Sequence, residues 1–368
     1  MTKPVEEYVL PGLDSIAPYN ASHHDFAWSR RELARLMSNE CPLPPSTAVQ
    51  QAVASAISVG HLYPYSGQDL RAALGDYGGI SSSAIVLGNG STEILDVLIR
   101  ILVAPGDETI IATPTYAFFE TQTRLCRGTP VLVPLTESWE LDVDGILAAV
   151  NPRTKAILLC SPNNPTGNGW TADQVKRILA TGVPTVVDQA YLECGYAESL
   201  SPLANEYRNL VICRTMSKGF GLAALRVGWA IADPWLVSII ERVRIPFSVS
   251  LMGVWGCLAA LAEPSELEHR REYISRGAHR LFEGMREIPG VTPYPSEGNF
   301  VLADISETHA DVSAVTESLL RQGMLIRQMS AHRLNGSHIR ITVGTVEQNE
   351  RLLSLLPGAL VASAPIVK

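Results

Sequence analysis

The sequence predicts an α/β fold with two domains. In the large domain a mostly parallel seven-stranded sheet lies between helices, and the small domain is α+β. Seven short apolar runs that alternate with helical or loop segments in the middle of the chain predict the large sheet. Three further strand signals, with helices between and after them, predict the small domain. A chain of 368 residues is long enough to bury both cores.

The composition points to small-molecule partners. Charged residues make up 18% of the chain and the formal net charge is -8, which gives no overall attraction to nucleic acid or to anionic membranes. No apolar run reaches about 18 residues and no basic region precedes an apolar block at the N-terminus, so we expect a cytoplasmic protein. The 6 cysteines form no CxxC pair and the histidines show no ligand spacing, so neither disulfides nor a metal is expected.

The N-terminal part is predicted to form an arm, residues 1–40, that packs with the small domain. The large domain is expected to span residues 41–260 and the small domain residues 261–368. A turn-like stretch in the arm carries Tyr19. The arm is thus expected to cover part of another unit and to have no core of its own.

Two helices and an aromatic loop follow the arm. A helical apolar spacing predicts a helix over Ser46–Val59, which Gly60 ends, and a second helix begins near Gln68. The loop between them carries Tyr63 and Tyr65. Loops with aromatic tips often take part in binding.

The apolar runs of the large sheet come next, and a long helical region follows them. The runs are Ala84–Leu87, Thr109–Ala112, Val131–Val133, Ala156–Cys160, Thr185–Asp188, Leu210–Cys213 and Val227–Ile231. The helical region extends from Trp235 to about Glu287, with breaks at Pro246 and Pro264. The small-domain strands are predicted at Asn299–Asp304, Met324–Arg327 and His338–Val343. Ligands of such sheets bind beyond the carboxyl ends of the strands, so we expect one site along that edge.

One lysine, Lys218, lies in apolar surroundings after the sixth run, and glycines at 219 and 221 let other groups approach its backbone. Burial lowers the pKa of an ammonium group, and the resulting neutral amine can attack a carbonyl carbon. The alternative is a lysine whose stem is buried while its amine reaches water. The residues at the other strand ends favour the reactive amine.

A phosphate site is indicated where the first run turns into a helix. Gly90, Ser91 and Thr92 lie at the start of that helix, whose free N–H groups and dipole suit a phosphate. In the alternative, Ser91 or Thr92 is a plain N-cap. Further phosphate ligands would come from Thr215, Ser217 and Arg226 if the two strand ends are neighbours.

Three other strand ends carry groups that suit a flat polar ring. Asp188 would hold a proton on a ring nitrogen or else cap the following turn, and Tyr191 offers a phenol at the same edge. Asn164 lies in the double-proline turn Ser161–Gly167, which either holds its amide still or only connects a strand to a helix. Tyr116 would stack on a ring or pack on the sheet.

These motifs resemble those of the fold-type-I, pyridoxal-phosphate-dependent aminotransferases, and most of all those of histidinol-phosphate aminotransferases. The resemblance is carried by Ser161–Gly167 (SPNNPTG), Asp188–Tyr191 (DQAY), Arg214–Lys218 (RTMSK) with Arg226–Gly228 (RVG), and Ile339–Gly344 (IRITVG). It extends over nearly the whole chain. The order and spacing of the motifs make the resemblance to the superfamily specific.

The resemblance implies a role for each residue at the strand ends. Lys218 would bind pyridoxal 5'-phosphate (PLP) covalently and then move the proton of the substrate Cα, while Asp188 pairs with the pyridine nitrogen. Asn164 and Tyr191 would bond the 3' oxygen of the ring, and Tyr116 would stack on its face. The phosphate would be held by Gly90, Ser91, Thr92, Thr215, Ser217 and Arg226.

The resemblance further implies a homodimer with composite active sites, in which Tyr63 reaches the cofactor phosphate of the other subunit. The substrates would be a primary amine and a 2-oxo acid such as 2-oxoglutarate. Arg340 would bind the substrate carboxylate, or the phosphate of histidinol phosphate, with Arg327 as its helper. Tyr19 would cover the pocket.

Two residues depart from the usual pattern of these enzymes. Gln189 stands where the family commonly has Glu, and Phe247 stands where some members have a tyrosine that helps to bind the substrate phosphate. Histidinol phosphate is the leading substrate, and the alternatives are an aromatic or specialised-metabolite amino acid and a decarboxylation of the threonine-phosphate type. A ligand-sensing domain without catalysis is a further alternative, which Lys218, Asp188 and Arg226 together oppose.

Overall fold

The computed structural model describes residues 4–9, 13, 16, 21–330, 332–334 and 336–364. Two sheets organise these residues, one of 7 strands and one of 5 strands. Tyr19 and the turn that contains it lie outside the described residues. The division of the chain at residues 40 and 260 stays a prediction.

Helices or short connections separate the strands of both sheets. The strands are β1 (Ala34–Leu36), β2 (Ile85–Asn89), β3 (Glu108–Thr113), β4 (Thr129–Pro134), β5 (Thr154–Cys160), β6 (Thr185–Asp188), β7 (Leu210–Thr215), β8 (Val227–Ile231), β9 (Thr292–Pro293), β10 (Phe300–Asp304), β11 (Met324–Met329) and β12 (His338–Thr342). The α-helices are α1 (Ser22–Ser29), α2 (Thr47–Ile57), α3 (Gln68–Gly78), α4 (Gly90–Leu102), α5 (Phe118–Leu125), α6 (Val143–Ala149), α7 (Ala172–Leu179), α8 (Pro234–Val243), α9 (Leu251–Leu261), α10 (Pro264–Arg286), α11 (Val312–Arg321) and α12 (Val346–Ser363).

The larger sheet confirms the predicted α/β architecture. Its strand order is β2-β8-β7-β6-β5-β3-β4, and neighbouring strands are parallel except where β8 pairs with β2 and with β7. Each of the seven predicted runs overlaps one of these strands. The carboxyl ends of β5, β6 and β7 therefore lie side by side at one edge, which is the edge where the sequence places its candidate site.

Helices cover both faces of this sheet because its strands are apolar on both sides. In β2, Ile85 and Leu87 belong to a core that includes residues of α2, α3, α6, α7 and α9. Val86, between them, belongs to the opposite core, which includes residues of α4, α5 and α8. Burial on both faces is the usual environment of a parallel sheet and explains the continuous apolar runs in the sequence.

The smaller sheet has the order β1-β11-β12-β10-β9 and is packed against α10, α11 and α12. Its first strand was missed because the stretch Arg30–Arg35 reads as a charged segment. β1 pairs in parallel with β11 and buries Ala34 and Leu36, while Arg35 forms an ion pair with Glu40 at 2.7 Å. The residues that follow β1 are thereby carried to the edge of the large sheet.

The long helical region of the sequence consists of three helices. Pro246 lies between α8 and α9, as predicted, and Pro264 begins α10 at a position where the missing N–H leaves no helical bond unmade. Ser46 caps α2 by accepting the Val49 N–H at 3.3 Å. None of the helices formed by the described residues is long and apolar enough to cross a membrane.

The start of α4 and the start of β8 approach each other more closely than side chains would allow. A Cβ atom on Gly228 would overlap the backbone nitrogen of Ser91. The Gly90 N–H donates to the Arg226 carbonyl at 2.9 Å, and Gly90 has a left-handed φ of 73°. The glycines therefore bring the helix start against the strand, as a shared phosphate site between them requires.

Gly228→Ala is predicted to lower the free energy of unfolding by about 1–3 kcal/mol, because the added methyl group overpacks this contact. Urea unfolding of the variant checks the value. Gly358→Ala is the matched control, since a Cβ at that position in α12 meets no atom within 4 Å. That control is expected to gain about 0.5–1 kcal/mol from the higher helix propensity of alanine. Equal stabilities of the two variants would contradict the close approach.

Candidate active site

The amine of Lys218 lies just beyond the carboxyl end of β7. Its Nζ donates to the Ser38 carbonyl at 3.2 Å and lies 5.7 Å from the centre of the Tyr191 ring. Burial first, and then the positive charges of Arg340 and Arg226, lower the pKa of Lys218 from 10.5 to about 8, while Cys194 and Glu40 partly oppose the shift. A neutral amine is therefore available close to neutral pH.

Asp188, the last residue of β6, provides a buried carboxyl group beside the lysine. It is 3% exposed and pairs in register with Cys213 on β7. Burial raises the pKa of Asp188 to about 7, although the Ala190 N–H, at 3.1 Å from Oδ1, and the charge of Lys218 both favour the carboxylate. A protonated ring nitrogen placed against this group would hold it in the charged form.

Tyr191 is fixed at the same edge by a residue to which the sequence reasoning gave no role. The Nδ2 atom of Asn39 donates to the Tyr191 hydroxyl oxygen at 3.0 Å, and the Tyr191 ring packs edge-to-face on Phe300. Burial raises the pKa of the Tyr191 phenol above its ordinary value, so it keeps its proton. Asn39 lies 152 residues before Tyr191 in the chain, so only the fold brings it to the site.

Arg340 and Asn164 are brought together from the two sheets. Arg340, on β12, is 8% exposed, and its Nη1 atom donates to Asn164 Oδ1 at 2.5 Å. Its Nη2 atom donates to the Met37 carbonyl at 3.0 Å. The guanidinium carbon of Arg340 lies 5.4 Å from the centre of the Phe300 ring, so the guanidinium group packs over the face of that ring.

Arg327 stands directly opposite Arg340 in the register of β11 and β12, so both side chains leave the same face of the small sheet. The Nη1 atom of Arg327 is 3.3 Å from each ring nitrogen of His23 in α1. Two guanidinium groups on one face repel each other unless an anion lies between them. The arrangement suits an anionic group.

The candidate phosphate cradle is formed by the start of α4 and by the loop after β7. Arg226 has a left-handed φ of 54°, and its Nη1 atom donates to Ser217 Oγ at 3.2 Å. Thr215 Oγ1 donates to Ser217 Oγ at 3.0 Å, and the guanidinium of Arg226 lies where a Cβ on Gly90 would be. Ser91 is buried next to them and Thr92 is half-buried in the first turn of α4. Hydroxyls, free helix N–H groups and a guanidinium thus converge, which is the donor set that binds a phosphate.

The two remaining aromatic candidates lie in different settings. Tyr116 is half-buried, with ring centres 5.7 Å from Phe118 and 5.9 Å from Phe119. Tyr63 is 83% exposed and stacks on Phe247, itself 59% exposed, at 5.1 Å. Tyr63 therefore makes none of the described contacts with the lysine or the cradle.

Gln189 supports the backbone behind the site. Its side chain donates to the Glu198 carbonyl at 3.1 Å and accepts the Leu200 N–H at 3.2 Å, and it is fully buried. A glutamate could not make the first of these bonds while ionised. The loop that Gln189 holds therefore explains why a glutamine stands here in place of the glutamate that is common in the family.

A buried ion pair holds the segment around the lysine from behind. Glu193 and Arg214 form a salt bridge with side chains 0% and 5% exposed, and Arg214 lies over the rings of Tyr77 and Trp229. A Cβ on Gly219 would overlap the Glu193 backbone, so the residue after the lysine packs directly on this pair. Sequence reasoning missed it, because its members lie 21 residues apart.

Comparisons with known proteins identify the family of the chain. A family model described as aminotransferase class I and II matches residues 31–356, and the chain belongs to that family. It is 39% identical to a histidinol-phosphate aminotransferase of Methanosarcina mazei, over 95% of this chain and 93% of the relative. It is 34% identical to histidinol-phosphate aminotransferase 2 of Archaeoglobus fulgidus, over 93% of this chain and 97% of the relative. The solved structure of histidinol-phosphate aminotransferase from Sinorhizobium meliloti, in complex with pyridoxal-5'-phosphate, has a TM-score of 0.87 at 26% identity and covers 96% of this chain and 98% of that one.

The reactivity of Lys218 is predicted to rise with pH around a midpoint near 8, because its folded surroundings disfavour the ammonium form. An amine-reactive label is applied at a series of pH values to the folded protein, after any small molecule bound to that lysine has been removed, and mass spectrometry of the peptide containing residue 218 measures this midpoint. Lys218→Ala is the control and must lose that label. A midpoint near the ordinary 10.5 would contradict the enclosed amine.

Proposed function

We propose that the chain is a PLP-dependent aminotransferase that moves an amino group between a primary amine and a 2-oxo acid such as 2-oxoglutarate, with histidinol phosphate as the leading amine. The observation that carries this proposal is the enclosed amine of Lys218, which lies beside Asp188 and Tyr191 at the edge that also forms the cradle. The names and high coverage of the relatives support both the cofactor and the reaction. A cytoplasmic location is part of the proposal.

The residues of the site fit PLP in charge and in hydrogen bonding. Lys218 would bind the cofactor covalently, and the carboxylate of Asp188 would hold the proton of the pyridine nitrogen. Tyr191 and Asn164 would bond the ring's 3' oxygen, and Tyr116 would stack on the ring face. The phosphate would be held by Ser91, Thr92, Thr215, Ser217 and Arg226, while Gly90, whose N–H already donates to the Arg226 carbonyl, leaves room for the Arg226 guanidinium. When bound, PLP supplies an electron sink for the electron pair that remains when a bond at the substrate Cα is broken.

The proton chemistry falls to Lys218. An amine with a pKa near 8 is neutral often enough at physiological pH to take a proton from the substrate Cα and acidic enough to return it to the product. Arg340 and Arg226, which lower that pKa, would also bind the anionic groups on either side of the reacting carbon. The same charges therefore position the ligands and activate the base.

The anionic end of the substrate would be bound by Arg340 and Arg327. Their guanidinium groups leave one face of the small sheet and together supply the donors that a phosphate or a carboxylate needs. This pair supports a phosphorylated amine as substrate and accommodates the carboxylate of a 2-oxo acid in the second half of the reaction. The side chain of Gln189 bonds the Glu198 carbonyl and the Leu200 N–H, so it supports the backbone behind the site.

The amine substrate is tested by a half-reaction. Holoenzyme mixed with L-histidinol phosphate, without an oxo acid, is expected to convert bound PLP to pyridoxamine phosphate, as followed by near-visible absorbance. L-histidinol and L-phenylalanine should react more slowly. Arg327→Gln should reduce the preference for the phosphorylated amine about tenfold or more, because a charge-assisted bond is lost. Arg276→Gln, at an exposed ion pair on α10, is the matched control.

Two results would contradict this substrate assignment. Faster conversion with phenylalanine than with histidinol phosphate would favour an aromatic or specialised amino acid. Release of carbon dioxide from O-phospho-L-threonine, with PLP unchanged at the end, would favour the decarboxylation. Failure of the protein to bind PLP at all would overturn the cofactor itself.

We also propose a homodimer with composite sites. Tyr63 and Phe247 form an exposed aromatic pair, and Ile245, two residues before Phe247 in the chain, is 63% exposed. A second copy of the chain would bury this surface and bring Tyr63 to the phosphate cradle of its partner. The proposal accounts for a stacked pair of large apolar side chains that one subunit leaves in water.

Subunit mixing tests the composite site. Lys218→Ala and Tyr63→Ala should each be impaired alone, but equal amounts refolded together should recover about a quarter of the wild-type activity. Half of the random dimers would contain one site with both native residues. Lys218→Ala refolded with the wild-type protein gives the reference activity for random pairing of active and inactive subunits. No recovery with the Tyr63 variant would show that Tyr63 acts within its own subunit.

A further inference from the structure

Asn39 joins three parts of the fold through a closed set of hydrogen bonds. It follows β1, is 1% exposed and has a left-handed φ of 54°. Its backbone N–H donates to Thr342 Oγ1 at 2.9 Å, and its carbonyl accepts from Asn299 Nδ2 at 2.8 Å. Its side-chain Oδ1 accepts from Thr342 Oγ1 at 3.1 Å, while its Nδ2 donates to the Tyr191 hydroxyl at 3.0 Å. The N-terminal segment, the small sheet and the large-sheet edge therefore meet at this residue.

The orientation of the Asn39 amide follows from Thr342. Because the Thr342 hydroxyl accepts the Asn39 N–H, its own proton needs an acceptor, and Asn39 Oδ1 is the acceptor that the described residues offer. With the amide turned over, that proton would be left buried without an acceptor, which costs free energy. The amide oxygen therefore faces Thr342 and the amide nitrogen faces Tyr191.

This orientation decides the direction of the Tyr191 proton. A phenol oxygen that accepts from Asn39 Nδ2 has to send its own hydrogen elsewhere. The charged and titratable groups that act on Tyr191 are Arg340, Cys160 and Asp188, and the Lys218 amine lies over its ring. The hydrogen is thus directed away from Asn39, toward the space in front of the lysine.

We propose that Asn39 is a positioning residue that makes the Tyr191 hydroxyl a hydrogen-bond donor to the 3' oxygen of the cofactor ring. The inference rests on the proposed function, because it requires PLP at this edge. Thr342 lies two residues beyond Arg340 on β12, and thus on the same face. The strand that would bind the substrate anion therefore also orients the donor to the cofactor.

The test compares substitutions of similar size and opposite hydrogen-bond character. In Asn39→Asp the side chain accepts from Tyr191, so the ring oxygen of PLP loses its donor. A ring oxygen without a donor holds the neighbouring proton of the lysine-bound nitrogen more strongly, and the pH midpoint of the cofactor's absorbance change should rise by roughly one unit. In Tyr191→Phe this midpoint should rise by a similar amount. In Asn39→Ala the tyrosine hydroxyl is free to turn, so the midpoint should rise less.

A double-mutant cycle separates the hydroxyl from the added charge. In the Tyr191→Phe background, Asn39→Asp should shift the midpoint by clearly less than it does in the native background. Thr342→Val is the second variant if Asn39→Asp binds PLP poorly. It removes only the hydroxyl that orients the amide, and a smaller rise that disappears in the Tyr191→Phe background is expected.

The outcomes are distinct. An unchanged midpoint in Asn39→Asp and Thr342→Val, or a full shift that persists without the Tyr191 hydroxyl, would overturn the role of Asn39 while leaving the proposed function intact. A wild-type protein that shows no PLP absorbance would overturn the proposed function and this inference with it. Asn299→Ala, which removes a bond only to backbone carbonyls, should leave the midpoint unchanged.

Discussion

The site depends on keeping an amine and a carboxyl group together in a place poor in water. Burial disfavours the charged form of each, so the pKa of Lys218 falls to about 8 while that of Asp188 rises to about 7. Such groups are costly to hold unless the surrounding backbone is rigid. The parallel strands β6 and β7 supply that rigidity, because both residues lie at or just beyond the ends of strands that are apolar on both faces.

The same requirement explains the buried ion pair behind the lysine. Glu193 and Arg214 contribute little net stability as a pair, since burial of both charges costs about as much as their attraction returns. The pair acts on the geometry of the site. Glu193 packs directly against Gly219, so it restricts the position of the backbone next to Lys218. Removing one partner would leave an uncompensated charge in the core.

The short strand β1 gives the site its second half. By pairing with β11 it brings Met37, Ser38 and Asn39 to the large-sheet edge, where they bond Arg340, Lys218 and Tyr191 respectively. The positive charge of Arg340, on the small sheet, then lowers the pKa of Lys218, which follows β7 of the large sheet. The two sheets therefore form one chemical site although each has its own core.

The sequence by itself determined the class of fold, the strand-end residues and the family, because apolar runs, glycines and short motifs are local signals. It also predicted Lys218 as the reactive amine, and the structure encloses that amine. Only the tertiary structure decided which distant residues meet. Strand β1 was hidden by its charged surroundings, the Glu193–Arg214 pair by its separation along the chain, and the role of Asn39 by bonds to residues 152 and 303 positions away. Hydrogen bonds of that kind leave no periodic pattern in a sequence.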